Sequence, residues 1–305
     1  IKLGHAQDMK GRTGVTVVLC DRGGAVGGVD VRGAAPGTRE TDLLRSGNLV
    51  ERVDAIVLAG GSAFGLDSAS GVMKVLEQAG VGHHTVAGRI PIVPAAVLYD
   101  LGVGNPKARP DAKMGGQACV NASKEATQGR VGAGTGASVC KLVPNTTFQQ
   151  GGLGTASITL ANGITVGAVA AVNAVGDIYH PYNGELVAAA VGENGKPMPV
   201  SDLLFGSPPA PEMKRISQPG QNTTIGVIAT DAWLTKEQAN RLATVAHNGF
   251  ARTIRPVHTP MDGDTIFALG TGRVEQEVNM IQLCLAATEA MAMAVYNGVI
   301  AGNRG

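Results

Sequence analysis

Apolar residues recur in short runs separated by glycine, proline and asparagine, with a few longer stretches at helical spacing. Residues 14–20 and 25–32 read as strands joined by Asp21-Arg22-Gly23-Gly24, a hairpin signal. Residues 54–59 form another apolar strand. Ser62 stands where it would cap a helix over 63–79, ended by Gly80, and a second helix is expected over 111–126. Residues 155–161 and 164–172 flank Asn162-Gly163, a pair suited to a tight two-residue hairpin turn because it tolerates positive φ. Residues 193–222 hold six prolines, Pro197, Pro199, Pro208, Pro209, Pro211 and Pro219, and predict an extended, irregular linker. Beyond it come a buried strand over 224–230, a helix opened by Thr235 with Glu237 nearby, and a strand pair near 253–269. A long helix over 275–300, rich in Ala, Met and Leu, closes the chain. It is apolar on more than one face, which predicts burial or a subunit interface. Hairpins and helices without a regular βα repeat predict a layered α/β fold with largely antiparallel sheets.

Composition narrows the function classes. The 305 residues suffice for one large domain or two smaller ones. Forty-four glycines against five Phe, four Tyr and one Trp describe an interior packed with small residues. A net charge of +1 with scattered Arg and Lys gives no case for nucleic acid or an anionic membrane as a partner. Cys20, Cys119, Cys140 and Cys284 are far apart and form no CxxC, so buried free thiols are expected rather than zinc ligands or disulfides. No signal peptide or twin-arginine pattern opens the chain, and no apolar run reaches the ~18 residues of a membrane span; a cytoplasmic protein is expected.

The richest chemistry lies at Asn222-Thr223-Thr224, between the proline-rich segment and a strand. A chain cut before Thr223 would carry a hydroxyl nucleophile and a free α-amine on one residue. That amine, with a reference pKa near ~8, can serve as base for its own hydroxyl. The bland reading is a β-branched residue starting a strand. Asp262 and Asp264 flank Gly263; in a strand, residues two apart share a face, so both carboxylates can serve one site. The alternative is a turn that needs Asp-Gly-Asp for its backbone shape. Lys141 follows the strand-like stretch 137–140, where a partly buried Lys can assist proton transfer. Asn173 closes an apolar strand, where its amide needs a partner and can act as an oxyanion donor; Tyr99 can supply a second donor.

Six stretches accompany these residues in order: residues 33–42 (GAAPGTRETD), 60–67 (GGSAFGLD), 94–100 (PAAVLYD), 132–137 (GAGTGA), 152–157 (GLGTAS) and 258–265 (HTPMDGDT). Together they resemble the self-processing aminopeptidase family of L-aminopeptidase/D-amidase-esterases, β-peptidyl aminopeptidases and endo-type nylon-oligomer hydrolases. The peptidase branch has Ser after Gly at the junction, so Asn222-Thr223 leans toward the nylon-hydrolase branch, which also has a Lys at the place of Lys141. The resemblance implies a four-layer αββα sandwich of N-terminal-nucleophile type, formed by residues 1–305 as one domain. It implies cleavage between Asn222 and Thr223 into residues 1–222 and 223–305, which stay together, commonly as homotetramers. Thr223 is the implied nucleophile, supported by Lys141, Asn173, Tyr99, Asp262 and Asp264, with no cofactor or metal. The implied substrates are 6-aminohexanoate oligomers or, alternatively, small peptides and amides. A non-catalytic binding or assembly protein on the same fold is the rival from another class.

Other motif-like features carry less. Residues 132–137 imitate a dinucleotide fingerprint without a βαβ unit, and residues 61–65 imitate a nucleophile elbow only if Phe64 is ignored. His83 and His84 are adjacent and lack a metal-binding pattern, and His180 and His258 read as core or supporting histidines.

Overall fold

The computed structural model describes residues 1–142, 146–206 and 222–304. Two sheets lie face to face between two pairs of helices. The first sheet contains β1 (Lys2–Asp8), β2 (Thr13–Leu19), β4 (Thr38–Arg39), β6 (Ala55–Ala59) and β7 (Ala95–Val97), in the order β1-β2-β6-β7-β4. The second contains β3 (Ala25–Val31), β5 (Arg52–Val53), β8 (Gly152–Thr159), β9 (Thr165–Val172), β10 (Ile225–Ala232) and β11 (Thr265–Val274). Its order is β8-β9-β10-β11-β3-β5. Only the β6–β7 and β10–β11 pairs are parallel within these two sheets. Helices α1 (Ser68–Gln78) and α2 (Ala112–Val120) cover the first sheet, and α3 (Lys236–Thr253) and α4 (Met280–Asn303) cover the second.

Three apolar layers hold these four together. Val15, Val17, Val57, Ala69 and Val72 pack between the first sheet and its helices. Ile56, Leu58, Leu153, Ile225, Phe267 and Leu269 fill the space between the sheets. Ile228, Ile266, Leu242, Phe250, Met291 and Val295 join the second sheet to α3 and α4. The αββα sandwich expected of this chain is therefore present. Glycine lets α4 ride directly on β8: a Cβ on Gly154 would lie 2.0 Å from the carbonyl oxygen of Ala294. Against the expectation that no apolar run reaches the length of a membrane span, helix α4 is long and apolar enough by composition to cross one, but most of it is covered by β8, β9 and α3.

Element existence follows the sequence pattern more closely than element pairing. The strands flanking Asp21-Arg22-Gly23-Gly24 form as β2 and β3, but they are not a hairpin. The turn carries the chain from one sheet to the other, since both inner faces are apolar and each strand finds longer partners elsewhere. Likewise Ile254–Arg255 and β11 do not pair with each other; Ile254–Arg255 joins Asp177–Tyr179, and β11 lies between β10 and β3. Ser62 does not cap a helix through its side chain. It follows the left-handed Gly61, itself has φ 54°, and enters a 3-10 turn over Ser62–Asp67 before α1. Helix α2 ends at Val120 rather than 126, and α4 starts at Met280 because β11 extends to Val274 and Asn279 supplies the cap.

The hairpin of β8 and β9 forms as expected, but through a three-residue loop. Leu160 pairs with Ile164, and only Gly163 takes positive φ, at 86°. Thr235 caps α3 in a reciprocal capping box with Gln238. The proline-rich segment is less irregular than predicted where it is described. Pro197–Met198 pairs with Ala190–Val191, and Val200–Gly206 is helical; residues 207–221 lie outside the described residues.

Candidate active site

Strand register assembles the site. Strands β10 and β11 run parallel with Ile225 opposite Thr265, so the residues just before each strand lie side by side. That register sets Asn222 beside Asp262, where a parallel bridge forms, and brings Thr224 beside Asp264. Strand β9 runs antiparallel to β10 with Ala171 opposite Ile225. Two residues further, Asn173 faces Thr223, and the Thr223 N–H donates to the Asn173 carbonyl oxygen at 3.0 Å. The three strand ends thus converge on one buried point, with Thr223 only 3 % exposed.

At that point the Asn222 carbonyl oxygen has two donors. Thr223 Oγ1 donates to it at 2.5 Å, and the Gly263 N–H donates at 3.0 Å. Glycine is required here: a Cβ on residue 263 would lie 2.7 Å from Thr223 Oγ1 and 2.6 Å from the Ala35 carbonyl oxygen. Asp262 and Asp264 are buried, but they lie in the loop entering β11 rather than on one face of a strand. Asp264 Oδ1 accepts the Thr224 N–H at 2.8 Å, and its Oδ2 accepts from the N–H and Nδ1 of His258 at 3.2 and 2.8 Å. Asp262 Oδ2 accepts the Thr259 N–H at 2.7 Å. The loop is clasped from the other side, because Ala35 donates to the Asp262 carbonyl and Arg32 and Gly33 donate to that of Asp264. Residues 33–35 therefore support the aspartate loop, and the turn reading of Asp262-Gly263-Asp264 holds together with its place in the site.

The Asn173 side chain is the hub of the other half. Its Oδ1 accepts from the Ser138 N–H at 3.0 Å and from Lys141 Nζ at 2.9 Å; its Nδ2 donates to the Tyr99 carbonyl oxygen at 3.0 Å. Lys141 Nζ also reaches the Asn173 carbonyl oxygen at 3.3 Å. Tyr99 thus meets the Asn173 side chain through its backbone carbonyl. No periodicity in a sequence marks a carbonyl that accepts from a distant amide. The neighbouring Asp100 ties this loop to residues 60–61, accepting the Gly61 N–H at 2.7 Å, so the stretch resembling an elbow is a tether.

Burial sets the electrostatics. It pulls the Lys141 ammonium down to about 7, against the upward pull of Asp262. Burial and then the charge of Asp264 push the Asp262 carboxyl up to about 6. An amine and a carboxyl that both titrate near neutrality can move protons at physiological pH. Thr223, Asn222, Lys141, Asn173, Asp262 and Asp264 thus fall in one cluster.

The signal missed was Gly263, hidden because a backbone N–H has no residue signature. His258, expected as a core or supporting histidine, has its ring against Asp264. His180 instead packs edge-on against Tyr182 and Tyr296. His83 and His84 are exposed. Among the described residues, no group of three or more His, Cys, Asp or Glu is placed to hold a metal. The four cysteines are unpaired by disulfides.

Comparison with known proteins gives this geometry a setting. The model of peptidase family S58 matches residues 1–304. An uncharacterized aminopeptidase of Mycobacterium tuberculosis is 44 % identical over 310 residues, covering 94 % of this chain and 85 % of the relative. A 6-aminohexanoate-oligomer endohydrolase of Paenarthrobacter ureafaciens is 32 % identical over 308 residues, covering 97 % and 82 %. Among solved structures, a β-aminopeptidase of Burkholderia sp. superposes with a TM-score of 0.68 at 24 % identity, covering 97 % of this chain and 83 % of that one. The L-aminopeptidase D-Ala-esterase/amidase of Ochrobactrum anthropi, described as a variant of the Ntn-hydrolase fold, superposes with a TM-score of 0.66 at 18 % identity. It covers 98 % of this chain and 84 % of that one. These two likenesses show the fold, an N-terminal-nucleophile hydrolase sandwich.

Proposed function

The chain belongs to peptidase family S58 and is an amide hydrolase, and we propose that it cuts itself at Asn222–Thr223 and then works through the freed Thr223. The observation that carries this reading is the meeting of Thr223 Oγ1 and the Gly263 N–H on the Asn222 carbonyl oxygen. A nucleophile beside a polarised carbonyl is the arrangement an acyl shift requires. Thr223 Oγ1 attacks the Asn222 carbonyl carbon, and the Gly263 N–H stabilises the oxyanion. The hydroxyl proton ends on the Thr223 nitrogen as the C–N bond breaks, leaving an ester between Asn222 and Thr223 Oγ1. Water cleaves that ester to an Asn222 carboxylate and a Thr223 with free hydroxyl and amine.

In turnover the substrate carbonyl takes the place vacated by Asn222. The Thr223 amine, held by the Asn173 carbonyl, accepts the hydroxyl proton and passes it to the leaving amine. Water releases the acyl group. One N–H of Asn173 Nδ2 is committed to Tyr99, so the other is the donor it has left for the oxyanion. Lys141, Asp262 and Asp264 hold and charge-balance the nucleophile.

The substrate is a small amide. Internal cleavage of 6-aminohexanoate oligomers is favoured by the Asn222-Thr223-Thr224 junction. Aminopeptidase action on short peptides is the second reading, favoured by the 44 % identity to a protein named an aminopeptidase. Assembly of cut protomers into a homotetramer belongs to the same reading, and light scattering tests it.

Intact mass of the purified protein tests the central claim. The expected result is two species, residues 1–222 and 223–305, with Thr223→Ala remaining a single 305-residue species without amidase activity. Cleavage of Thr223→Ala at the same bond would overturn the assignment. A panel containing both short peptides and 6-aminohexanoate oligomers then separates the substrate readings.

A further inference from the structure

His258 has an unusual setting. It is one of five non-glycine residues with positive φ among the described residues, at 55°, a conformation that costs a side-chain-bearing residue energy and persists where the surroundings demand it. This backbone turn lets the His258 N–H and Nδ1 reach the same oxygen, Asp264 Oδ2, at 3.2 and 2.8 Å. An ionised carboxylate only accepts, so the proton sits on Nδ1 in that contact. Nε2 is then left buried without a hydrogen-bond partner among the described residues. A buried orphan of this kind calls for an explanation.

The ring does not pivot freely. It packs edge-on to His247 with centroids 4.8 Å apart, and beside Phe250 at 6.4 Å, both on α3. His247 is itself fully buried, with Nε2 3.0 Å from the Asp30 carbonyl oxygen. On the far side, Asp264 Oδ1 holds the N–H of Thr224, the residue after Thr223. One chain of contacts thus runs from α3 through His247, His258 and Asp264 to the backbone N–H of Thr224, next to Thr223.

We propose that His258 is a positioning residue: its Nδ1–H fixes the Asp264 carboxylate, which in turn sets where Thr223 Oγ1 stands against the carbonyl it attacks. The inference rests on the reading of Thr223 as the nucleophile. It asks the imidazole for a hydrogen bond, whereas a packing role asks only for its shape.

Two substitutions separate those demands. His258→Phe keeps an aromatic ring against His247 and Phe250 and removes the donor. His258→Asn discards the ring, keeps a donor at the δ position and tolerates the left-handed backbone. The experiment is a pulse–chase of self-cleavage in cell-free translation, read by intact mass, with thermal unfolding of each variant alongside. His258→Phe is expected to cut about 100-fold more slowly with an unfolding midpoint near that of the unmodified chain. His258→Asn is expected to cut within about threefold of the unmodified rate, since the hydrogen bond is restored. The reverse order, with Phe fast and Asn slow, would establish a packing role and overturn the inference, as would both variants cutting normally. An unmodified chain that never cuts would overturn the reading of Thr223, and this inference with it.

Discussion

Gly263 donates its backbone N–H to the carbonyl oxygen of Asn222 at 3.0 Å, although the two residues are forty-one positions apart. The contact exists because β10 and β11 are parallel neighbours whose register carries on past their ends to the Asn222–Asp262 bridge. It gives the carbonyl before Thr223 a second donor beside Thr223 Oγ1.

Gly263→Ala follows directly. Its new β-carbon meets Thr223 Oγ1 and the Ala35 carbonyl at separations below 3 Å, so the loop must retreat from Asn222. Removing one oxyanion donor typically costs about 100- to 1000-fold in rate. Self-cleavage of Gly263→Ala should slow by that order in a mass-spectrometric time course, and cleavage at the ordinary rate would exclude Gly263 as the donor.

Lys141 gives the pH dependence of the same step. Its ammonium, pulled to about 7 by burial, is protonated below that pH and neutral above it. A neutral amine can accept the Thr223 hydroxyl proton, so self-cleavage should accelerate as pH rises through about 7 and then level. Lys141→Met should cut slowly and lack this rising limb. A rate profile with the limb intact in Lys141→Met would assign it to another group.

Asp262 makes an opposite contribution to stability. Its carboxyl is raised from 3.8 to about 6 in the fold, so the folded state binds its proton more tightly than the unfolded chain does. Between those values stability falls as pH rises, and above about 6 the cost is fully present. Asp262→Asn, which keeps an acceptor for the Thr259 N–H, should therefore stabilise the fold at pH 8. The gain should vanish below about pH 4. Denaturant unfolding at both pH values measures it, and equal differences at the two would refute the electrostatic cause.

Asn173 should behave in the other direction. Its buried side chain serves Ser138, Lys141 and Tyr99 at once, so Asn173→Ala strands the Ser138 N–H and the Tyr99 carbonyl and removes one of the partners of Lys141. A loss of at least about 2 kcal/mol is expected, since each buried unsatisfied group costs about 1–3 kcal/mol. Denaturant unfolding of a Thr223→Ala background, compared with the double variant, isolates that loss from cleavage; a difference under about 0.5 kcal/mol would mean water replaces the amide.

Much of this protein was legible locally. Hydrophobic runs marked β2, β6, β9 and β10, Asn162-Gly163 marked the β8–β9 turn, and Thr235 marked the start of α3, because each signal is written within a few residues. The chemistry-bearing residues around Thr223 were also recognisable, through residue types and motif order. Partner choice was not. Asp21-Arg22-Gly23-Gly24 looks like a hairpin turn in isolation, yet β2 and β3 belong to different sheets, since which strand pairs with which depends on burying whole faces. Tertiary structure alone decided that Asn173, Thr223 and Gly263 meet, that Tyr99 contributes a carbonyl, and that His258 reaches Asp264. Those contacts run through backbone groups, which every residue shares, and through strand register, which is set by distant apolar packing. Sequence therefore determined which groups were on hand, and the registers of β9, β10 and β11 determined which of them touch.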